Sequence, residues 1–178
     1  MSLISALAIS IGVLGGIATW AFLGPLAGAL QIWAAFIAWA CFFHCGGKEA
    51  GLKATIPATI AGAIMAGLTL IAVSRGGLGA SLGLPVWAGL CVGVGVLVMI
   101  LLANVPALGA IPAMVYGFAA TAAQALMAAD GLANLTSPGL ANPVVSIAAS
   151  MVVGAILGYV SEKVAVALLG TGPARRPA

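Results

Sequence analysis

The residues able to do chemistry gather in one stretch, "FIAWACFFHCGGKEAG" (Phe36–Gly51), where the only histidine of the chain, His44, stands among Cys41, Cys45, Lys48 and Glu49. Spacings of three and four residues put Cys41, His44 and Cys45 on one helix face. A thiol–imidazole–thiol face is the beginning of a zinc site, but structural zinc takes four ligands. The remaining cysteine, Cys91, is remote in sequence, and no second ligand cluster exists. The expectation is therefore no metal and no cofactor. Cys41 and Cys45 read as small core residues. His44 reads as an interfacial residue whose titration near neutral pH makes it a candidate gate.

Catalysis has less to work with. The three carboxylates are Glu49, Asp130 and Glu162, each at an expected loop or helix end. They form no acid pair and no serine–histidine–acid set. "GGLGASLG" (Gly76–Gly83) has no strand before it and no lysine after it, so it is not a phosphate cradle. Glu49 and Lys53, four apart, read as an ion pair at a helix start. The chain is not expected to be an enzyme, and a net charge of +3 is too small and scattered for a nucleic-acid partner.

What must position these residues is a set of apolar helices. The 178 residues are 63% hydrophobic and only 5% charged, against roughly 25% charged in soluble domains. Runs of about 20 apolar residues suit a bilayer, and strand alternation is absent, so the expectation is an all-α integral membrane protein. Six segments are marked off by glycine, proline and the rare charges: Leu3–Phe22, Gln31–Cys45, Ala54–Val73, Pro85–Asn104, Ala110–Ala129 and Asn142–Val166. The first lacks a preceding basic residue and is long for a signal sequence, so it reads as a retained span. They make one domain over residues 1–170, followed by a short basic tail at 171–178. Alternating six spans places the Gly46–Lys53 loop and the tail on one face. That face holds Lys48, Lys53, Lys163, Arg175 and Arg176, and the other only Arg75. Excess basic residues mark the cytoplasmic face, which puts both termini inside.

An internal repeat is visible. "IWAAFIAW" (Ile32–Trp39) aligns with "IPAMVYGF" (Ile111–Phe118), and "ATIAGAIMAGL" (Ala58–Leu68) with "ASMVVGAILGY" (Ala149–Tyr159), sharing Gly-Ala-Ile. Halves at 1–75 and 84–170 with three spans each would insert in opposite directions, as an inverted repeat. Small residues four apart, Ala58/Gly62/Ala66 and Ser150/Gly154/Gly158, read as helix–helix seams. The run from Trp39 to Gly47, then Gly51-Leu-Lys-Ala, and later Gly154-Ala-Ile-Leu-Gly-Tyr, resembles the YcdZ-like small bacterial inner-membrane proteins, the family of unknown function numbered 1097. The resemblance spans most of the chain except the tail. It implies a membrane fold in a bacterial inner membrane and brings no activity, and His44, Lys48 and Glu49 are not part of its pattern.

The spans contain no buried charge, so they offer no acid or base to hold a coupling proton or ion. They do offer neutral hydrogen-bonding and aromatic groups: Trp39, Phe43, Thr59, Tyr116, Phe118, Gln124 and Ser150. Such a lining suits a small uncharged polar solute of the urea, ammonia or amide kind. The leading expectation is a channel or facilitator, working as a homo-oligomer in the bilayer. An ion-coupled transporter with its site at broken helices near Pro57 and Pro143, and a non-transporting membrane scaffold, are the alternatives.

Overall fold

The computed structural model of the protein describes residues 1–170; the basic tail expected at 171–178 lies outside the described residues. Among the described residues there is no strand, and each of the six apolar segments becomes a helix: α1 (Leu3–Leu23), α2 (Ile32–His44), α3 (Lys48–Arg75), α4 (Leu84–Leu101), α5 (Ile111–Met127) and α6 (Pro143–Gly170). Short helical turns fill the connections, one of them at Gly79–Leu82. Four helices are long and apolar enough to cross a membrane: α1, α3, α6 and the Leu84–Asn104 stretch containing α4. The other two are short. At 1.5 Å per residue, the 13 residues of α2 and the 17 of α5 reach about 20 Å and about 25 Å. A hydrocarbon core is about 30 Å thick.

α3 and α6 form the central pair. α3 packs most extensively on α5, and α6 on α2; α4 lies against α3 much as α1 lies against α6. Glycines set these distances. A Cβ on Gly62 would overlap the carbonyl oxygen of Met114, one on Gly117 that of Thr59, and one on Gly154 that of Ala35. Backbones can approach this closely only where no side chain intervenes, and in lipid such contact is what drives helix association. The ladders of small residues are therefore seams between α3 and α5 and between α6 and α2.

Two departures from the sequence reading lie at the α2–α3 corner. The expected Gly46–Lys53 loop is only a tight turn, because α3 begins at Lys48. Gly46, Gly47 and Lys48 take successive positive φ values of 91°, 67° and 56°, a reversal that the two glycines permit without steric cost. The Lys48 N–H then donates to Glu162 Oε2 of α6 at 2.7 Å. No Glu49–Lys53 ion pair forms among the described residues; the carboxylate that fastens this corner comes from the other end of the sequence. A backbone donor at a helix start offers a fixed partner, whereas two exposed long side chains must give up rotamer freedom to meet.

Charge is confined to the ends of the bundle. Lys48, Glu49 and Lys53 occupy the first turns of α3, beside Glu162 and Lys163 in the last third of α6. Arg75 closes α3 at the opposite end, where its Nη2 donates to Thr136 Oγ1 at 2.9 Å. Thr136 belongs to the α5–α6 connection, which also holds Asp130.

Candidate functional site

The N-terminus of α2 shows how neutral polar groups are used inside the bundle. Gln31 is its N-cap but makes no side-chain cap. Instead the Gln31 N–H donates to Ser150 Oγ of α6 at 2.8 Å, and Ser150 Oγ donates to the Ser146 carbonyl at 2.7 Å. Ser146 Oγ in turn donates to the Ala29 carbonyl at 2.8 Å. The segment before α2 is thus strapped to α6 by two serines. Ser150 lies seven residues into α6, so α2 starts about 10 Å along its neighbour. A helix that starts at depth needs such donors met from outside its own chain segment, because its first N–H groups have no intrahelical partner.

At the other end of α2 the aromatic and polar residues separate into distinct places. Trp39 is buried, stacks on Phe36 and donates from Nε1 to Ser161 Oγ at 3.0 Å. With Phe43 it faces a small recess beside Ile11 of α1. Thr59 is buried and donates back to the Thr55 carbonyl at 2.9 Å. Phe118 packs against the core cluster of Cys41, Ala58, Met99 and Met114. These residues and Ser150 serve packing and backbone satisfaction.

Tyr116, Gln124 and His44 fall along a different line, the groove between α2 and α5. Its middle, about 490 Å³, is lined by Trp33, Ile37, Ala40, Tyr116 and the alanines Ala119, Ala120 and Ala123. It continues past Trp33, Ala123, Gln124 and Met127 toward the Arg75 end. At the lysine-rich end a cavity of about 620 Å³ opens between His44, Cys45, Lys53 and the Pro106–Pro112 turn. His44 Nδ1 and the Tyr116 hydroxyl, hydrogen-bonded at 3.0 Å, bridge α2 and α5 where this cavity meets the groove. The groove runs between helices too short to fill a bilayer. Its walls are small and apolar, with neutral polar groups at intervals.

Sequence reasoning misses Trp33, Ala40 and the Ala119/Ala123 pair. The signal is present as spacing, since Trp33/Ile37 and Ala119/Ala123 each lie four apart on one face. Alanine carries no chemistry of its own, however, and only the groove gives it a role. Two hydroxyls inside the bundle are poorly served. Thr121 Oγ1 is buried without a hydrogen-bond partner, and Thr55 Oγ1 has beside it the Cys41 thiol, a weak partner at best. Among the described residues no group of three or more histidine, cysteine or carboxylate side chains is placed to hold a metal.

A family model described as a protein of unknown function (DUF1097) matches residues 8–166. No curated protein and no solved structure matches the chain.

Proposed function

For this chain, which belongs to the DUF1097 family, we propose a membrane facilitator for a small uncharged polar solute that moves along the groove between α2 and α5. The observation that carries this reading is the groove itself, lined by alanines with Tyr116, Gln124 and the His44–Tyr116 bridge along its length. Its groups donate and accept hydrogen bonds but supply no counter-charge within it. A neutral amide-like solute needs no more than that, whereas a proton- or ion-coupled carrier needs charged or titratable groups at depth.

All six helices cross the membrane in this proposal, α2 and α5 as short crossings extended by the segments that precede them. The two halves are inverted copies. The packing supports this. Gly62 meets Met114 and Gly154 meets Ala35. The shared Gly-Ala-Ile equates Gly62 with Gly154, and the alignment of Ile32–Trp39 with Ile111–Phe118 equates Ala35 with Met114. Trp39 and Phe118 are then equivalent positions. The lysine-rich end faces the cytoplasm, with both termini on that side. Subunits associate into a homo-oligomer that covers the open side of the groove.

Reconstitution into liposomes tests the reading. Urea or acetamide uptake should be independent of proton and sodium gradients. Ala40→Leu and Ala123→Leu, which narrow the groove at positions outside the buried core, should cut it at least about tenfold (~1.4 kcal/mol) while the protein stays folded. Uptake equal to that of empty liposomes would overturn it, and gradient-dependent uptake would favour a coupled transporter.

A further inference from the structure

Sulfur is concentrated at one place in the bundle. Cys41 Sγ, in the last turn of α2, and Cys45 Sγ, of the residue that caps its C-terminus, lie 3.9 Å apart. Cys41 is fully buried in a cluster with Met99 and Met114, and Cys45 and Met65 pack against the same cluster. Cys45 also lines the 620 Å³ cavity at the lysine-rich end, so the pair has a buried member and one open to a route inward. His44, between them in sequence, turns to Tyr116.

We infer that Cys41 and Cys45, with a methionine thioether of the same cluster, form a binding site for a soft monovalent cation, Cu(I) or its analogue Ag(I). Thiolate and thioether ligands select such ions, and carboxylate- or water-preferring ions gain nothing from them. Geometry agrees: with metal–sulfur bonds of roughly 2.3 Å, two ligands of a trigonal site stand about 4 Å apart. The third position belongs to Met114 or Met99, whose flexible side chains reach irregular gaps. The expectation of no metal weighed these thiols against zinc, which requires four ligands; a soft monovalent ion needs fewer. Binding needs no electron transfer. Each thiol gives its proton to solvent and becomes a thiolate, so two protons leave per ion bound. The site does not depend on solute transport; it uses the cavity wall and not the groove.

The experiment is anaerobic titration of the purified, detergent-solubilised protein with Cu(I) in competition with a chromophoric Cu(I) chelator. One ion per chain is expected. Cys41→Ser and Cys45→Ser should each weaken binding at least about 100-fold, and one of Met114→Leu and Met99→Leu, which keep volume and remove sulfur, about tenfold; Cys91→Ser should leave it unchanged. Cys45 is only partly buried, so its serine variant keeps the measurement meaningful even where Cys41→Ser disturbs packing. Binding that persists in Cys45→Ser, or disappears in Cys91→Ser, would overturn the site. So would a wild-type protein that takes up no more Cu(I) than the Cys41→Ser/Cys45→Ser double variant.

Discussion

Gly62 of α3 lies directly against the main-chain carbonyl of Met114 in α5, with no space between them for a methyl group. Neither partner can yield cheaply, because each is backbone inside a helix. Gly62→Ala should therefore lower stability by about 1–3 kcal/mol, despite alanine's better helix propensity. Gly154→Ala, set against the Ala35 carbonyl, should cost a similar amount. Gly89 in α4 has nothing within 4 Å of an added Cβ, so Gly89→Ala should be neutral or stabilising by up to about 1 kcal/mol. Unfolding in mixed detergent measures all three, and a Gly62→Ala protein as stable as Gly89→Ala would mean that the α3–α5 seam is looser than described.

Two buried hydroxyl positions should respond with opposite signs. Thr121 Oγ1 has no partner, so Thr121→Val, which keeps its shape, should be neutral or stabilising by about 1 kcal/mol. Ser150 Oγ accepts from Gln31 and donates to the Ser146 carbonyl. Ser150→Ala strands the Gln31 N–H at depth and should cost about 1–3 kcal/mol. The same denaturation assay reads both, and hydrogen exchange at Gln31 should quicken in Ser150→Ala alone.

The His44–Tyr116 bridge should be insensitive to pH. A phenol hydroxyl both donates and accepts, so it can meet His44 Nδ1 in either protonation state of the ring. Wild-type flux should then vary less than about twofold between pH 5 and 8, and His44→Ala should leave it near the wild-type level. Tyr116→Phe, which removes the hydroxyl that faces the groove, should lower flux several-fold. A steep pH profile abolished by His44→Ala would make His44 a gate.

Both ends of the chain should lie on one side of the membrane. Ser146 at the start of α6 holds Ala29 of the α1–α2 connection, and α1 packs along α6, so the connection that follows α1 and the N-terminal end of α6 are neighbours. The N-terminal end of α1 and the Gly170 end of α6 lie away from this contact. Reporters active only in the cytoplasm should work at either terminus; activity at one end alone would exclude six crossings.

The helices are legible in the sequence because apolar runs and the residues that interrupt them are local signals. Ser2, Gly83 and Asn142 stand just ahead of α1, α4 and α6, and each of these helices begins within one residue of its expected start. The α2–α3 corner is not legible, because its fastening is non-local. Nothing near Lys48 announces that Glu162, 114 residues away, will accept its N–H. The groove is half legible. Tyr116, Gln124 and His44 stand out by residue type, but Trp39, Thr59 and Ser150 stand out by the same criterion and serve packing and backbone instead. Polarity marks a residue that needs a partner, and only tertiary contact decides whether that partner is the protein or a solute.

The confinement of charge to the two ends of the bundle has an electrical consequence. Moving one elementary charge across a membrane held at about 100 mV is worth about 2.3 kcal/mol, and that work is what lets a voltage bias one conformation over another. Lys48, Glu49, Lys53, Glu162 and Lys163 sit together at one end, with Arg75 and Asp130 at the other. Among the described residues, no side-chain charge therefore lies partway through the field to be displaced. If a neutral solute moves along the groove as proposed, the membrane potential should leave its flux unchanged.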